Sequence, residues 1–211
     1  MRITVFGISA GGALLVWLVV VLWRARAAGL EPRRALRLLE SAIACGVLGA
    51  AIGGFTGRPG WAGFSSLGAA FGAVLGAALS LRPAPQTDRW RYLDIVIYAF
   101  PFGWALVRLG CTLQREHPGR ITSSFLGVAY PDGQRYDLAL LEMLLAITLT
   151  ALFLVLGRRP RPPGYFVRFA ALCGPLRLLI ESLREPPAAP NVIAALMLTA
   201  AGLWVWRRAV D

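Results

Sequence analysis

The chain has 211 residues, 57% of them hydrophobic, and a mean hydropathy of +0.61, which is too apolar for a soluble globular domain and suits one integral membrane domain. Its net charge of +11 is carried entirely by arginine, since no lysine occurs. Those arginines cluster in short connections between apolar runs, which sets nucleic acid aside as a partner and points to membrane orientation instead.

Seven runs are long enough to cross ~30 Å of hydrocarbon at ~1.5 Å per helical residue. The first, about 3–23, is longer than a signal-peptide core, and its positive cluster (Arg24, Arg26) follows it, so it reads as a retained span. The second and third, about 38–57 and 61–81, are rich in small residues. Gly49 and Gly53 form one GxxxG pair, and Gly68, Gly72 and Gly76 a double one, where helix backbones can approach closely. The fourth, about 91–113, contains Pro101, which removes a backbone hydrogen bond and predicts a kink. Asp94, near its inner end, is expected to pair with a loop arginine such as Arg91. A polar outer loop at about 114–136 holds the single histidine, His117, which reads as solvated. The fifth, sixth and seventh runs are about 137–157, 164–184 and 189–206. Prolines and glycines punctuate the connections at Pro59 and Gly60, Pro83 and Pro85, Pro160 to Pro163, and Pro186 to Pro190. The expected fold is therefore all-α: one polytopic membrane domain, 1–211, with seven transmembrane helices.

Arginine counting orients it. With the N-terminus outside, thirteen arginines fall in the inner connections and C-terminal tail and six fall outside. The positive-inside rule then places the N-terminus on the periplasmic side and the C-terminus in the cytoplasm. The three cysteines, Cys45, Cys111 and Cys173, lie in or at the ends of apolar runs without CxxC spacing, so neither a metal site nor a disulfide framework is expected.

Two arginines, Arg108 and Arg177, sit inside runs otherwise apolar enough to span. A bare charge there costs roughly 2.5 to 3.5 kcal/mol on insertion scales, so such residues face a partner or a polar cavity. In the expected topology Arg108 lies near the outer end of the fourth span. Glu142 lies ~7 Å below the outer surface on the fifth, and Arg177 lies ~10 Å deeper than Arg184 on the sixth. Residues 177, 181 and 184 are four and three apart and share one helical face. Arg108, Arg177 and Arg184 thus oppose Glu142 and Glu181 at one depth. The surplus positive charge suits an anionic lipid headgroup, set against the blander reading of an Arg–Glu ladder that only joins helices.

At these positions the chain resembles the prolipoprotein diacylglyceryl transferase family, seven-span bacterial inner-membrane enzymes. "RARAAGLEPRRALRLLESAIACGVLGA" is similar to its first inner loop and second helix, and "SSLGAAFGAVLGA" to its His-Gly-Gly helix. "VRLGCTLQREHPGR" resembles the signature G-R-x-G-N-F-x-N-x-E-x-x-G-R, and "RYDLALLEMLL" the H-P-x-Q-L-Y-E segment. "LCGPLRLLIESLREPP" resembles the closing Y-G-x-x-R-F-x-x-E-x-x-R-x-P-D. Among the chain's departures from the pattern, Leu67 stands at the family histidine, Ala69 at the second glycine, Cys111 at the signature asparagine, Leu141 at the L-Y-E tyrosine, and Cys173 at the closing tyrosine.

The resemblance implies transfer of a diacylglyceryl group from phosphatidylglycerol to the lipobox cysteine thiol of a preprotein. Catalysis then falls to Arg108, Glu142 and Arg177, and substrate binding to Arg108, Gly110, Glu116, Glu181 and Arg184. Glu142 or Glu116 is the expected proton acceptor, with Glu181 and Arg184 orienting Arg177. Phosphatidylglycerol, a lipobox preprotein and membrane lipid are the implied partners. No cofactor or metal and no nucleic acid are expected, and the implied location is the bacterial inner membrane. The alternative is an inactive lipid-binding or scaffold homologue, which the absence of the family histidine favours. A small-solute transporter is a third class, weakened by the lack of an internal repeat.

Overall fold

The structure, a computed structural model, describes residues 2–55, 66–156, 163–185 and 189–210. Among them each of the seven apolar runs holds one helix: α1 (Arg2–Ala27), α2 (Pro32–Phe55), α3 (Ser66–Leu81), α4 (Gln86–Gln114), α5 (Leu138–Leu156), α6 (Gly164–Ser182) and α7 (Ala189–Val210). Several helices outrun their apolar stretch. α2 begins at Pro32 rather than near 38, and α4 at Gln86 rather than near 91, because their arginine-bearing first turns stay helical while failing any hydropathy threshold. Pro32 opens α2, where its missing N–H costs nothing. Gly29, at φ 66, ends α1 in the left-handed conformation, and Leu30 N–H returns to the Ala25 carbonyl at 2.9 Å. Pro101 lies within a continuous α4.

Four helices are long and apolar enough to cross a membrane among the described residues: Val5–Ala27, Pro32–Ile52, Gln86–Gln114 and Leu138–Val155. Large side chains such as Ile8, Val74 and Val155 stand about 70% exposed, the pattern of helices solvated by lipid rather than water. Helix α6 escapes the same criterion because Arg168, Arg177 and Glu181 lower its apolar character.

The described chain divides into two compact units. One comprises Val20–Val96; the other comprises Met1–Val19 with Ile97–Asp211. In the first, α2 and α3 pack backbone to backbone. A Cβ added at Gly72 would lie 1.9 Å from the Cys45 carbonyl oxygen, and at Gly49 2.2 Å from that of Gly68. The glycine spacing thus serves helix packing. Gly72→Leu is expected to separate the two helices and destabilise the protein by about 3 kcal/mol, read as a lowered thermal midpoint in detergent. Gly11→Leu, whose site has open space around it, is the control. Arg91 bonds Asp88 at 3.0 Å and the Ala28 carbonyl at 2.9 Å, and Asp94 lies buried one turn on.

In the second unit the expected outer loop is a folded sheet. Strands β1 (Pro118–Ile121), β2 (Gly127–Tyr130) and β3 (Gly133–Asp137) pair antiparallel in the order β1-β3-β2. The β2–β3 turn is closed by Gly133 at φ 131 and by an Arg135–Asp132 ion pair at 2.6 Å. That arginine holds the exposed Asp132 carboxyl below its ordinary value. Asp137 is buried and caps α5, accepting from Leu140 N–H at 3.0 Å. Burial, then the Asp137 charge, pushes the facing Tyr130 phenol up to about 12. Loss of the cap in Asp137→Ala is expected to cost about 1 kcal/mol, visible in the same melts. Aromatic rings of Tyr98, Phe102, Phe153 and Tyr165 pack at 5.0–6.1 Å in the core of this unit.

Candidate active site

The charged residues singled out in the sequence converge within this second unit. Glu142, on the first turns of α5, is buried and has one guanidinium on each oxygen. Arg108 Nε of α4 lies 2.5 Å from Oε2, and Arg177 Nη1 of α6 contacts Oε1. The side chains are 21% exposed for Arg108, 18% for Arg177 and 2% for Glu142. Three helices are therefore joined at one carboxylate, and two cations on one anion leave a surplus positive charge. Each guanidinium carries five N–H donors, more than one carboxylate oxygen can use.

One turn beyond Arg177, Glu181 is fully buried. It binds Arg184 at 2.6 Å on one oxygen and accepts from Asn191 Nδ2 of α7 at 3.2 Å on the other. The shared face of α6 thus splits: Arg177 reaches across to α5, while Glu181 ties α6 to α7 and holds Arg184. Sequence spacing does not single out Asn191, whose only signal is a polar residue at the start of an apolar run.

Gly110, expected to bind substrate, faces α1: a Cβ there would lie 2.7 Å from Ser9 Cβ. Its lack of a side chain serves that close approach. Leu67, which stands at the family histidine, lies on α3, and its side chain is outside the described residues, as are Gly53, Arg58, Arg158, Arg159 and Arg161.

The small sheet forms the rim of the cluster. Arg120 N–H bonds the Leu183 carbonyl at 2.8 Å, its guanidinium reaches the Ser182 carbonyl, and Leu138 N–H bonds the His117 carbonyl at 3.1 Å. Strand β1 is thereby fixed to the ends of α5 and α6. His117 is consequently only half-buried rather than solvated, and lies within the fields of Arg108, Glu142, Arg184 and Glu116. Burial, and after it Arg108, pushes its imidazole below the ordinary value, so the ring is neutral at pH 7.

Between α4 and β1, Arg115 adopts a left-handed φ of 54, uncommon for a residue with a Cβ. Its N–H bonds the Thr112 carbonyl at 3.1 Å, and Glu116 N–H bonds that of Cys111 at 3.4 Å. The turn folds Glu116 and His117 back over the end of α4. Cys111 Sγ, a Glu116 carboxylate oxygen and a His117 ring nitrogen all lie within 4.8 Å of one another. Three potential metal-ligand atoms meet here, a grouping that linear spacing does not announce.

Fold and site together define a helical membrane protein built around a buried arginine–glutamate centre. The chain belongs to the prolipoprotein diacylglyceryl transferase family, whose model matches residues 1–207. It is similar to the phosphatidylglycerol–prolipoprotein diacylglyceryl transferase of Desulfotalea psychrophila, 29% identical over 167 residues, 69% of this chain and 61% of the relative. The proteins of that description from Geobacter sulfurreducens and Mannheimia succiniciproducens are 37% and 30% identical, over 48% and 61% of this chain and 41% and 50% of the relatives. The chain spans about six-tenths or less of the length of these curated relatives.

Proposed function

We propose that this protein transfers a diacylglyceryl group from phosphatidylglycerol to the lipobox cysteine thiol of a preprotein, in the bacterial inner membrane. In this reading the chain spans the bilayer seven times, with the N-terminus periplasmic and the C-terminus cytoplasmic. The supporting observation is the bridging of Arg108 and Arg177 by Glu142. A surplus of one positive charge matches the single negative charge of a phosphodiester, and the unused guanidinium N–H groups supply its hydrogen bonds.

The reaction needs a thiolate nucleophile and a stabilised leaving group. The thiol sulfur attacks the glyceryl carbon, the carbon–oxygen bond breaks, and glycerol phosphate departs with the bonding electrons. Arg108 and Arg177 hold the phosphate and neutralise the charge that grows on the departing oxygen. Glu142 positions both arginines; with both oxygens engaged it is poorly placed to take the thiol proton as well. Glu181 and Arg184 shape the outer mouth, with Asn191 as their anchor.

The test is twofold: rescue of a bacterium depleted of its own transferase, and transfer of labelled lipid to a lipobox peptide by the purified protein. Rescue and transfer are the expected results. Absence of both, with labelled phosphatidylglycerol still bound, would replace this reading with the second one, a lipid-binding scaffold, which the leucine at the family histidine position favours.

A further inference from the structure

Glu142 is occupied by two arginines and is poorly placed to generate the thiolate. Next to it stands a cluster joined to the clamp through Arg108, whose side chain interacts with Cys111. Cys111 follows Arg108 by three residues on α4 and is buried; Glu116 is exposed; His117 is half-buried on the strand entry. The left-handed turn at Arg115 brings all three together. One of them is a departure from the family pattern, Cys111 at the signature asparagine, while His117 stands at a position the pattern leaves open.

We propose that Cys111 Sγ, the Glu116 carboxylate and a His117 ring nitrogen form a three-ligand site for a thiophilic divalent cation of the zinc type, whose open fourth position takes the acceptor thiol. The proposal rests on the transferase reading for its role, though not for its ligands.

The donor set selects the metal. A thiolate with an imidazole and one carboxylate suits zinc, whereas magnesium and calcium prefer all-oxygen sites. Three protein ligands with one open position is the arrangement of catalytic rather than structural zinc. Bond lengths of ~2.0 Å to nitrogen and oxygen and ~2.3 Å to sulfur require ligand atoms closer than the present 4.8 Å limit, by about 1 Å. Rotation of the exposed Glu116 side chain supplies much of that closure. A dication with the Cys111 thiolate and the Glu116 carboxylate is neutral. Adding the acceptor thiolate makes the site anionic, and Arg108 and Arg184, whose fields already act on His117, offset that charge.

The chemistry that follows balances. The acceptor cysteine binds the cation as its thiolate, and its proton passes to water. The metal-held sulfur then attacks the glyceryl carbon of the phospholipid in the clamp, one helical turn away. A carbon–sulfur bond forms, the carbon–oxygen bond breaks, and glycerol phosphate leaves. No oxidant or reductant is involved. This chain would thus supply by metal coordination the deprotonation that other arrangements give to a side-chain base.

The experiment uses the full chain purified in detergent. Zinc content is measured after dialysis, and cobalt(II) is then substituted to look for a thiolate-to-cobalt charge-transfer band. One zinc per chain and a cobalt band are expected. Cys111→Ser should abolish the band, and Glu116→Gln and His117→Ala should weaken metal binding by more than about 100-fold. Cys45→Ser, on α2 in the other unit, should retain both signals. Glu116→Gln changes an exposed side chain and so keeps the test meaningful if the buried Cys111 variant fails to fold. A wild type that binds no zinc, or a band that survives in Cys111→Ser, overturns the site. Chelation should lower lipid transfer at least about 100-fold, with zinc restoring it; full transfer by metal-free protein overturns the activating role. A protein that binds zinc through these ligands but transfers no lipid under any condition supports the site while removing the transferase reading itself.

Discussion

Replacing Arg108 with alanine is expected to reduce transfer of labelled lipid to a lipobox peptide by about 100- to 1,000-fold, the usual loss when one preorganised charge donor is removed from a developing anion. The protein should remain folded, because Glu142 keeps Arg177 as partner on its other oxygen. Arg108→Lys restores the charge but not the planar fork, so it should recover only part of the rate. Arg177→Ala should behave like Arg108→Ala, since both guanidiniums meet one carboxylate. Full activity in Arg108→Ala would remove the phosphate-clamp mechanism.

The second large effect concerns stability. Glu142→Ala leaves two guanidiniums, each about four-fifths covered, facing one another with no carboxylate between them. Removing one partner from such a buried arrangement costs about 3–5 kcal/mol, because the remaining charge keeps its desolvation penalty. A sharply lowered thermal midpoint in detergent is therefore expected. Glu142→Gln keeps the shape and one acceptor oxygen and should lose less. A second-site Arg108→Leu in the Glu142→Ala background should recover stability, which a purely steric role for Glu142 would not predict.

Much of the helical framework is legible in the amino-acid sequence. The apolar runs near 3–23, 91–113 and 137–157 each contain a helix, since ~20 apolar residues have few other places to go. The face shared by residues 177 and 181 follows from helical spacing, whereas Arg184, expected on the same face, lies past the end of α6 at Ser182. Their partners do not, because Glu142 and Asn191 come from helices whose rotation about their axes is set by packing and leaves no local trace. The sheet over 118–137 is hidden for a different reason. Its strands are four or five residues long, carry glycine and proline, and are too brief for alternation to register. The meeting of Cys111, Glu116 and His117 depends on a left-handed turn at Arg115, and arginine gives no hint of that conformation.

The occupied state of Glu142 has a bearing on turnover. An arginine pair with no internal anion would grip substrate phosphate and departing phosphate alike, and a product that carries more charge would be held longest. With a carboxylate already seated between them, the pair carries one net positive charge rather than two. In the proposed transfer, a phosphate would meet that reduced charge through the remaining donors, so affinity for both ends of the reaction would be moderated. Such a resident anion would lower uniform binding without lowering the attraction for charge that exists only at the moment of bond breaking.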